Sequence, residues 1–593
     1  MSPARRVRLL RLAEWLGVGL LLAALTAIVT WPQAAVLTTQ AHEHHDALFS
    51  MWRLSWIAEA LTTHPSALFD APIFHPEVRT LAYSDAVLLQ GLIATPALAA
   101  GVPLLPTYNL LLLAGPWLSA LGTYLLVRSL LASRDGAAVS VQVGPVARPD
   151  EAARRSRVPT LPTSDVQTEG LPAPRLLWPA LVAAVVFGLL PYRLEHIMHL
   201  ELQWSQWMPL AFWALHRTVS AGRIRDGVLT AAFVLLQFLS CIYYGVFLTL
   251  ILALTGPLLL LTTTRASLGR IARALAIGAL LTAPGLIAYS RPYRANQEAF
   301  GGRAAWEIDT WSAKPGSFVS APPENRLYGR LTSDWGSPEG RLFPGLLAIG
   351  LATAGVIVMR RRREGWVYGA AAALSALLAL GTSTPVYGAM LLIAPPLRGL
   401  RAPARFGMLL ALALAVLAGF GAAWLLARVT RRGAQHALGA ALLVGLTIEY
   451  ASVVAPLYEW PQRAPLYAVW LRQQPPGVVL DLPVPRAWAL PNHDAEWSFL
   501  ARFHRHPLVN GYSGYYPRSY LELLHTLIPF PRGESLDVLR ARGVRYIVVH
   551  QNRYSPGDFL DFDGRLRRTP ELRLVGYFPD LKYPAVIFGL DPR

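Results

Sequence analysis

Within five consecutive positions, His42, Glu43, His44, His45 and Asp46 gather three imidazoles and two carboxylates, the densest polar group in the chain. If DALFSMWRLSWIAEAL is a helix lying on the membrane with Leu48, Trp52, Ile57 and Leu61 toward lipid, Asp46 at its start turns into a cavity, where it could serve as general base and deprotonate a hydroxyl acceptor. The same residue at the same place could instead only cap its helix, which is worth roughly 1 kcal/mol. Histidine and carboxylate side chains are also the usual ligands of a divalent ion. Adjacent residues diverge around a helix, so at most two of this group could converge on a metal. Glu43 and His45 are the candidates for a metal or a supporting role, and any other ligand would come from a distant loop.

Three further groups of residue types bear on chemistry. Asp85, in LAYSDA, could cap the helix that follows it or stand as a second acid near the cavity. YRLEHIMHLELQWSQW supplies His199 and Glu201 at the level where an anionic headgroup or a sugar must be held, while Tyr192, Trp204 and Trp207 fit the aromatic belt of any membrane interface. PPLRGLRAPARF, residues 395 to 406, carries Arg398, Arg401 and Arg405. Arginine pairs bidentately with phosphate, and Pro403 ahead of a helix start leaves backbone donors free for an anion. The plain alternative is snorkelling toward lipid headgroups. No Gly-rich phosphate loop, GxSxG elbow, CxxC pair or HExxH motif occurs, which argues against a nucleotide-driven pump and the common hydrolases.

The elements that must position these residues are set by composition. With 593 residues, 53% hydrophobic and only 15% charged, the chain reads as a polytopic α-helical membrane protein. Apolar stretches fall at roughly 12–30, 107–131, 175–191, 204–219, 226–241, 244–264, 271–290, 342–359, 366–382, 404–427 and 434–455, about eleven spans. Arginine runs at their alternate ends (Arg5, Arg6, Arg8 and Arg11; Arg128 and Arg134; Arg217, Arg223 and Arg225; Arg265, Arg270 and Arg273; Arg360 to Arg363; Arg428, Arg431 and Arg432) mark one face as cytoplasmic. They agree only if residues 86–101 do not cross. That stretch is short for a span and reads as an interfacial or re-entrant helix broken at Pro96 and closed by Gly101 and Pro103. The amino terminus is then cytoplasmic and the carboxyl terminus extracytoplasmic.

The net charge of +18 sits largely at cytoplasmic helix ends facing anionic headgroups, so nucleic acid is discounted as a partner in favour of membrane lipids. The single cysteine, Cys241, excludes an intrachain disulfide. The chain divides into a membrane part, 1–455, and an extracytoplasmic α/β domain, 456–593. The membrane part holds a first outer loop with juxtamembrane helices (31–106), a disordered cytoplasmic linker (132–174) and a further outer loop (291–341). In the α/β domain, GVVLDLP (477–483), VRYIVVH (544–550) and AVIFGL (585–590) read as strands, and SYLELLHTL and SLDVLRARG as helices.

EHHDALFSMWRLSW, FHPEVRTLAYSD, PTYNLLLLAGPWLSALGTYLLVRSLL, HIMHLELQWSQWMPL, LRGLRAPARFGMLL, HRHPLVNGYSGYYP and LRARGVRYIVVH together resemble the GT-C superfamily of integral-membrane glycosyltransferases, over nearly the whole chain. The resemblance implies an enzyme of the bacterial inner membrane. It would take a sugar from a polyprenyl-phosphate-linked donor on the outer face and pass it, with inversion, to a glycan, lipid or protein acceptor. It also implies an acid in the first outer loop as base, here Asp46, with Arg401 and Arg405 on the departing phosphate. Many members show neighbouring acids in that loop, whereas Glu43 and Asp46 are separated by histidines. The competing reading is a lipid-linked glycan flippase or envelope-assembly protein that keeps the scaffold without the chemistry.

Overall fold

A computed structural model describes residues 3–141, 174–261, 263–453, 455–532 and 534–591. A helix stands at each position where a span is expected: Pro3–Val29, Leu104–Val141, Pro174–Gly188, Trp207–Ala221, Ile224–Ser240, Ile242–Thr255, Arg265–Phe300, Leu346–Met359, Arg363–Ala379, Gly407–Ala427 and Arg432–Glu449. Among the described residues, six segments are long and apolar enough to cross a membrane: Arg8–Val29, Leu104–Ser133, Arg175–Glu195, Ile242–Leu260, Arg265–Phe300 and Pro403–Ala427. These coincide with six of the eleven expected spans; the helices at the other five positions are shorter or less apolar. Close approach of small residues holds the bundle together. A Cβ at Gly355 would sit 1.9 Å from the Leu417 carbonyl oxygen, and one at Gly421 1.9 Å from that of Leu351, so two helices pack backbone to backbone there. The Leu104–Val141 helix runs into the segment expected to be a linker, and the remainder of that linker, 142–173, lies outside the described residues.

The stretch 86–101 forms one 12-residue helix, Leu88–Ala99, about 18 Å long and too short to cross a membrane. Pro96 lies inside it without interrupting it, contrary to expectation, because only one amide is lost from the ladder; the chain turns away at Gly101. The His45–Thr63 helix also differs from expectation. Leu48, Trp52 and Ile57 do not face lipid; all three are buried, because the helix is covered by the Leu88–Ala99 helix and by the Asp494–His504 helix.

Toward the carboxyl terminus a four-stranded sheet runs in the order Val478–Leu482, Val544–His550, Ala585–Leu590, Leu572–Phe578. The first pair is parallel and the others antiparallel. The three strands expected from β-branched runs are the buried ones. The fourth, Leu572–Phe578, is an edge strand with much of its length exposed, and with Val575 as its one β-branched residue it lacks the β-branched run that marks the others. Helices at Arg518–Thr526 and Ser535–Ala541 match expectation. This α/β region is joined to the segment following the first helix at two places: Ala41–His42 pairs antiparallel with Leu457–Tyr458, and the Phe74 and His75 amides donate to the carbonyls of Asn510 and Leu508.

Candidate functional site

Asp46 enters the site from the first turn of the His45–Thr63 helix. His44 caps that helix, its Nδ1 accepting the Asp46 amide at 3.1 Å. The Asp46 carboxylate is 19% exposed and held on both oxygens: Tyr512 donates its hydroxyl to Oδ1 at 2.9 Å, and His199 Nε2 lies 3.1 Å from Oδ2. Burial opposes ionisation of Asp46, yet the His199 charge and hydrogen bond and the Tyr512 hydroxyl outweigh it and hold the carboxyl well below the usual carboxylate range. Burial pulls His199 down, but Asp46 and Glu201 carry it above its ordinary 6.5. Burial lowers His44, whose Nδ1 lone pair is already engaged by the Asp46 amide, so its 3.3 Å approach to Oδ2 is not an ion pair.

The wall beside this group is an arginine bracket. Arg53, fully buried on the helix that carries Asp46, donates from Nη2 to Glu201 Oε2 and to Ser50 Oγ, both at 2.9 Å, and from Nη1 to the Asp85 carbonyl. Glu201 is thereby committed to Arg53. Asp85 accepts the Ile242 amide and caps the Ile242–Thr255 helix, rather than the helix that follows it in sequence. Burial, with Glu201 nearby, pushes the Asp85 carboxyl up to about 7.

A cavity of about 650 Å³ brings these groups together: Asp46, Asp85, His199, Glu201, Arg401 and Arg405 all line it. Arg398 does not. It is exposed and turns back to the Leu391 carbonyl at 3.1 Å, because it closes the Pro395–Gly399 turn. Arg405 lines the cavity but is engaged, its Nε 2.5 Å from Glu339 Oε1. Burial resists charge on Glu339, but Arg405 and His196 bring its carboxyl down to about 2. Arg401 keeps more freedom, 35% exposed and 3.7 Å from Glu307 Oε1. Sequence reasoning missed two other cations lining this space. Arg303 shares Glu307 at 3.0 Å, donates to the Gly514 carbonyl at 2.9 Å and lies 3.3 Å over the Tyr515 ring. Arg294 is exposed and forms no ion pair among the described residues. Arg303 and Arg401 thus share one carboxylate, Glu307, and Arg294 has none among the described residues, which leaves positive charge on this wall unneutralised. One strip of the lining is apolar, with Phe238, Ile242, Val246, Leu250, Leu286 and Ile287 on three successive helices, and polar side chains such as Thr249, Ser290, Asn296 and Gln297 line the space beside it.

The metal candidates diverge. Glu43 is exposed, and its amide is tied to the Pro456 carbonyl; His45 is exposed beside Tyr512. Among the described residues no group of three His, Cys, Asp or Glu side chains is arranged to hold a metal ion. Glu43 and His45 therefore do not form a site for such an ion.

No protein-family model matches the sequence, and no curated protein matches it either. Solved structures do match. The arabinofuranosyltransferase AftD from Mycobacteria superposes with a TM-score of 0.57 at 16% identity over 99% of this chain and 41% of that one. The chain thus spans about two fifths of the length of that relative. The oligosaccharyltransferase AglB from Archaeoglobus fulgidus, solved with an inhibitory peptide and a dolichol-phosphate, gives a TM-score of 0.50 at 12% identity over 91% of this chain and 69% of that one.

Proposed function

We propose that this chain, which has the fold of the GT-C membrane glycosyltransferases, moves a sugar from a polyprenyl-phosphate-linked donor to an envelope acceptor at the outer face of a bacterial inner membrane. The observation that carries this reading is the single cavity with a clamped carboxylate on one wall, unspent arginines on another and an apolar strip between helices. A lipid-linked sugar needs those three surfaces. AglB, a structural neighbour, was solved with a lipid of this type. In this reading residues 1–455 form the membrane part and 456–593 an extracytoplasmic domain whose 510–517 loop roofs the cavity.

The chemistry is one displacement. Asp46 accepts the hydrogen bond of the acceptor hydroxyl and draws off its proton as the oxygen attacks the anomeric carbon. The bond from that carbon to the phosphate oxygen breaks, and its electron pair leaves with the phosphate. Arg401, Arg303 and Arg294 meet the charge that develops there, while Arg405 holds Glu339 and shapes the wall. Attack opposite the leaving group inverts the centre. A flippase on the same scaffold would also hold the phosphate but would have no use for a clamped carboxylate in the same chamber, so the transferase is the better reading. The test is mass analysis of envelope glycans and lipid-linked intermediates in a strain lacking the chain, complemented with wild type or Asp46→Asn. Accumulated donor and a glycan short of one sugar in the Asp46→Asn strain are expected. Full restoration by Asp46→Asn refutes the assignment.

A further inference from the structure

A carboxylate surrounded by donors is a stable anion and a weak base. Asp46 has the Tyr512 hydroxyl on one oxygen and, whenever His199 is protonated, its Nε2–H on the other, and such donors reduce the affinity of a carboxylate for a proton. General-base catalysis works best when the accepting group titrates near the working pH. His199 is placed to supply that affinity. Its Nε2 is 3.1 Å from Asp46 Oδ2, while its Nδ1 is buried with no hydrogen-bond partner among the described residues, so nothing fixes the tautomer from the far side. Resting on the assignment of Asp46 as the base, we propose that His199 is where the acceptor's proton comes to rest, so that Asp46 and His199 act as one proton-accepting pair.

In the competent state His199 is neutral, with its proton on Nδ1 and the Nε2 lone pair facing Asp46. As the acceptor oxygen bonds to the anomeric carbon, its O–H bond breaks toward the Asp46 carboxylate. The proton continues from Oδ2 to Nε2 while the phosphate departs with the electron pair of the broken bond. The step ends with a carboxylate beside an imidazolium, and the proton returns to cavity water when product leaves. The charged and titratable groups facing His199 are Asp46 and His44 at the His45–Thr63 helix, His196 and Glu201 on its own connector, and Arg405 and Glu339 from the turns across the cavity. Burial lowers the proton affinity of His199, but the carboxylates outweigh it and carry the imidazole above 6.5. Burial takes His196 down to about 3, so it stays neutral and does not compete for the proton. The active form is the pair without the extra proton. Activity is therefore lost as pH falls through the raised His199 value.

The assay uses purified full-length protein added to membranes from a strain lacking it, which supply their own lipid-linked donor and acceptor, with transfer read as the mass gain of the envelope glycan between about pH 4 and 9. Wild type is expected to lose activity below a midpoint above 6.5. His199→Gln is expected to lower the plateau roughly 100-fold and to move the acidic midpoint down into the carboxylate range. His199→Ala is expected to regain activity with added imidazole, with a midpoint that follows the added base. A histidine that only spaces its neighbours would lower the rate at every pH without moving the midpoint, and that result overturns the proposal. So does a wild-type midpoint in the carboxylate range, whichever variants fold. An inactive Asp46→Asn beside an unmoved His199→Gln midpoint rejects this inference alone, whereas a fully active Asp46→Asn rejects the base assignment beneath it.

Discussion

Glu201→Gln tests the bracket that holds the segment carrying Asp46 against the one carrying His199. Arg53 lies about two helical turns beyond Asp46 on the same helix, and Glu201 follows His199 closely on its connector, so their bond ties one segment to the other. The Arg53 side chain is 0% exposed and that of Glu201 7%. Gln preserves an acceptor oxygen for Nη2 and removes only the charge, leaving a buried guanidinium with Ser50 Oγ and the Asp85 carbonyl. An uncompensated buried charge of this kind costs about 3–5 kcal/mol. Asp85 moderates the loss. Its carboxyl stands at about 7 through burial and through Glu201; without Glu201 it ionises more readily and returns a negative charge to Arg53. Because Asp85 is neutral in acid and ionised in base, the deficit is larger at pH ~5 than at pH ~8. Thermal unfolding of the full chain in detergent, followed by tryptophan fluorescence at a fixed scan rate, measures both points. Arg53→Met combined with Glu201→Leu removes both charges and is expected to recover most of the loss. A Glu201→Gln protein as stable as wild type at pH ~5, or a double variant weaker than the single one, refutes the reasoning.

The arginines of the 395–406 segment should separate by position. Arg401→Ala is expected to weaken binding of undecaprenyl phosphate in nanodiscs roughly 10- to 100-fold, the worth of a charge-assisted contact, whereas Arg398→Ala leaves it unchanged; equal effects of the two substitutions would count against the cavity assignment. Asp494 is buried in the α/β region, where Asn510 and Tyr520 donate to its oxygens at 3.2 and 2.7 Å. Burial pushes its carboxyl up to about 8 from 3.8, so the folded state favours the protonated form and loses stability as pH rises between those values. Asp494→Asn keeps the shape without the titration. Its melting temperature should vary less than that of wild type across that interval, and parallel curves would exclude Asp494 as the source.

What could be read from the sequence was residue type and local periodicity. Helix positions followed from apolar runs, and six proposed site residues meet in one cavity because each lies in or beside a connecting segment rather than in the middle of a long helix. Partnership was not legible. Arg401 and Arg405 look equivalent in LRAPARF, yet Arg405 is engaged by Glu339, 66 residues away, and only the tertiary packing separates them. Glu201 looks like a headgroup ligand until Arg53, 148 residues away, is seen to hold it. Arg303 is one more arginine among many until the fold brings it over Tyr515. The same limit explains the missing strand: Leu572–Phe578 is ordered by the strand beside it rather than by a pattern of its own.

The 510–517 loop couples the two ends of the proposed reaction. Tyr512 holds Asp46, where the proton is taken, and Tyr515 and the Gly514 carbonyl hold Arg303, where phosphate charge would collect. The loop can reach both because two glycines let it lie flat on the segment below: a Cβ at Gly511 would be 2.7 Å from the Phe74 ring, and one at Gly514 3.0 Å from the Tyr83 carbonyl oxygen. Phe74 belongs to the segment whose amides pair with Asn510 and Leu508, so the loop is seated by the chain that leads to Asp85. The separation between base and phosphate grip is therefore fixed by packing between the α/β region and the helices below it, rather than by either alone. In-line displacement depends on that separation, because a donor gripped too far from the base cannot present its anomeric carbon to an oxygen that the base is deprotonating. In the proposed displacement the α/β region would accordingly set the reacting geometry itself, through the Tyr512 and Tyr515 contacts.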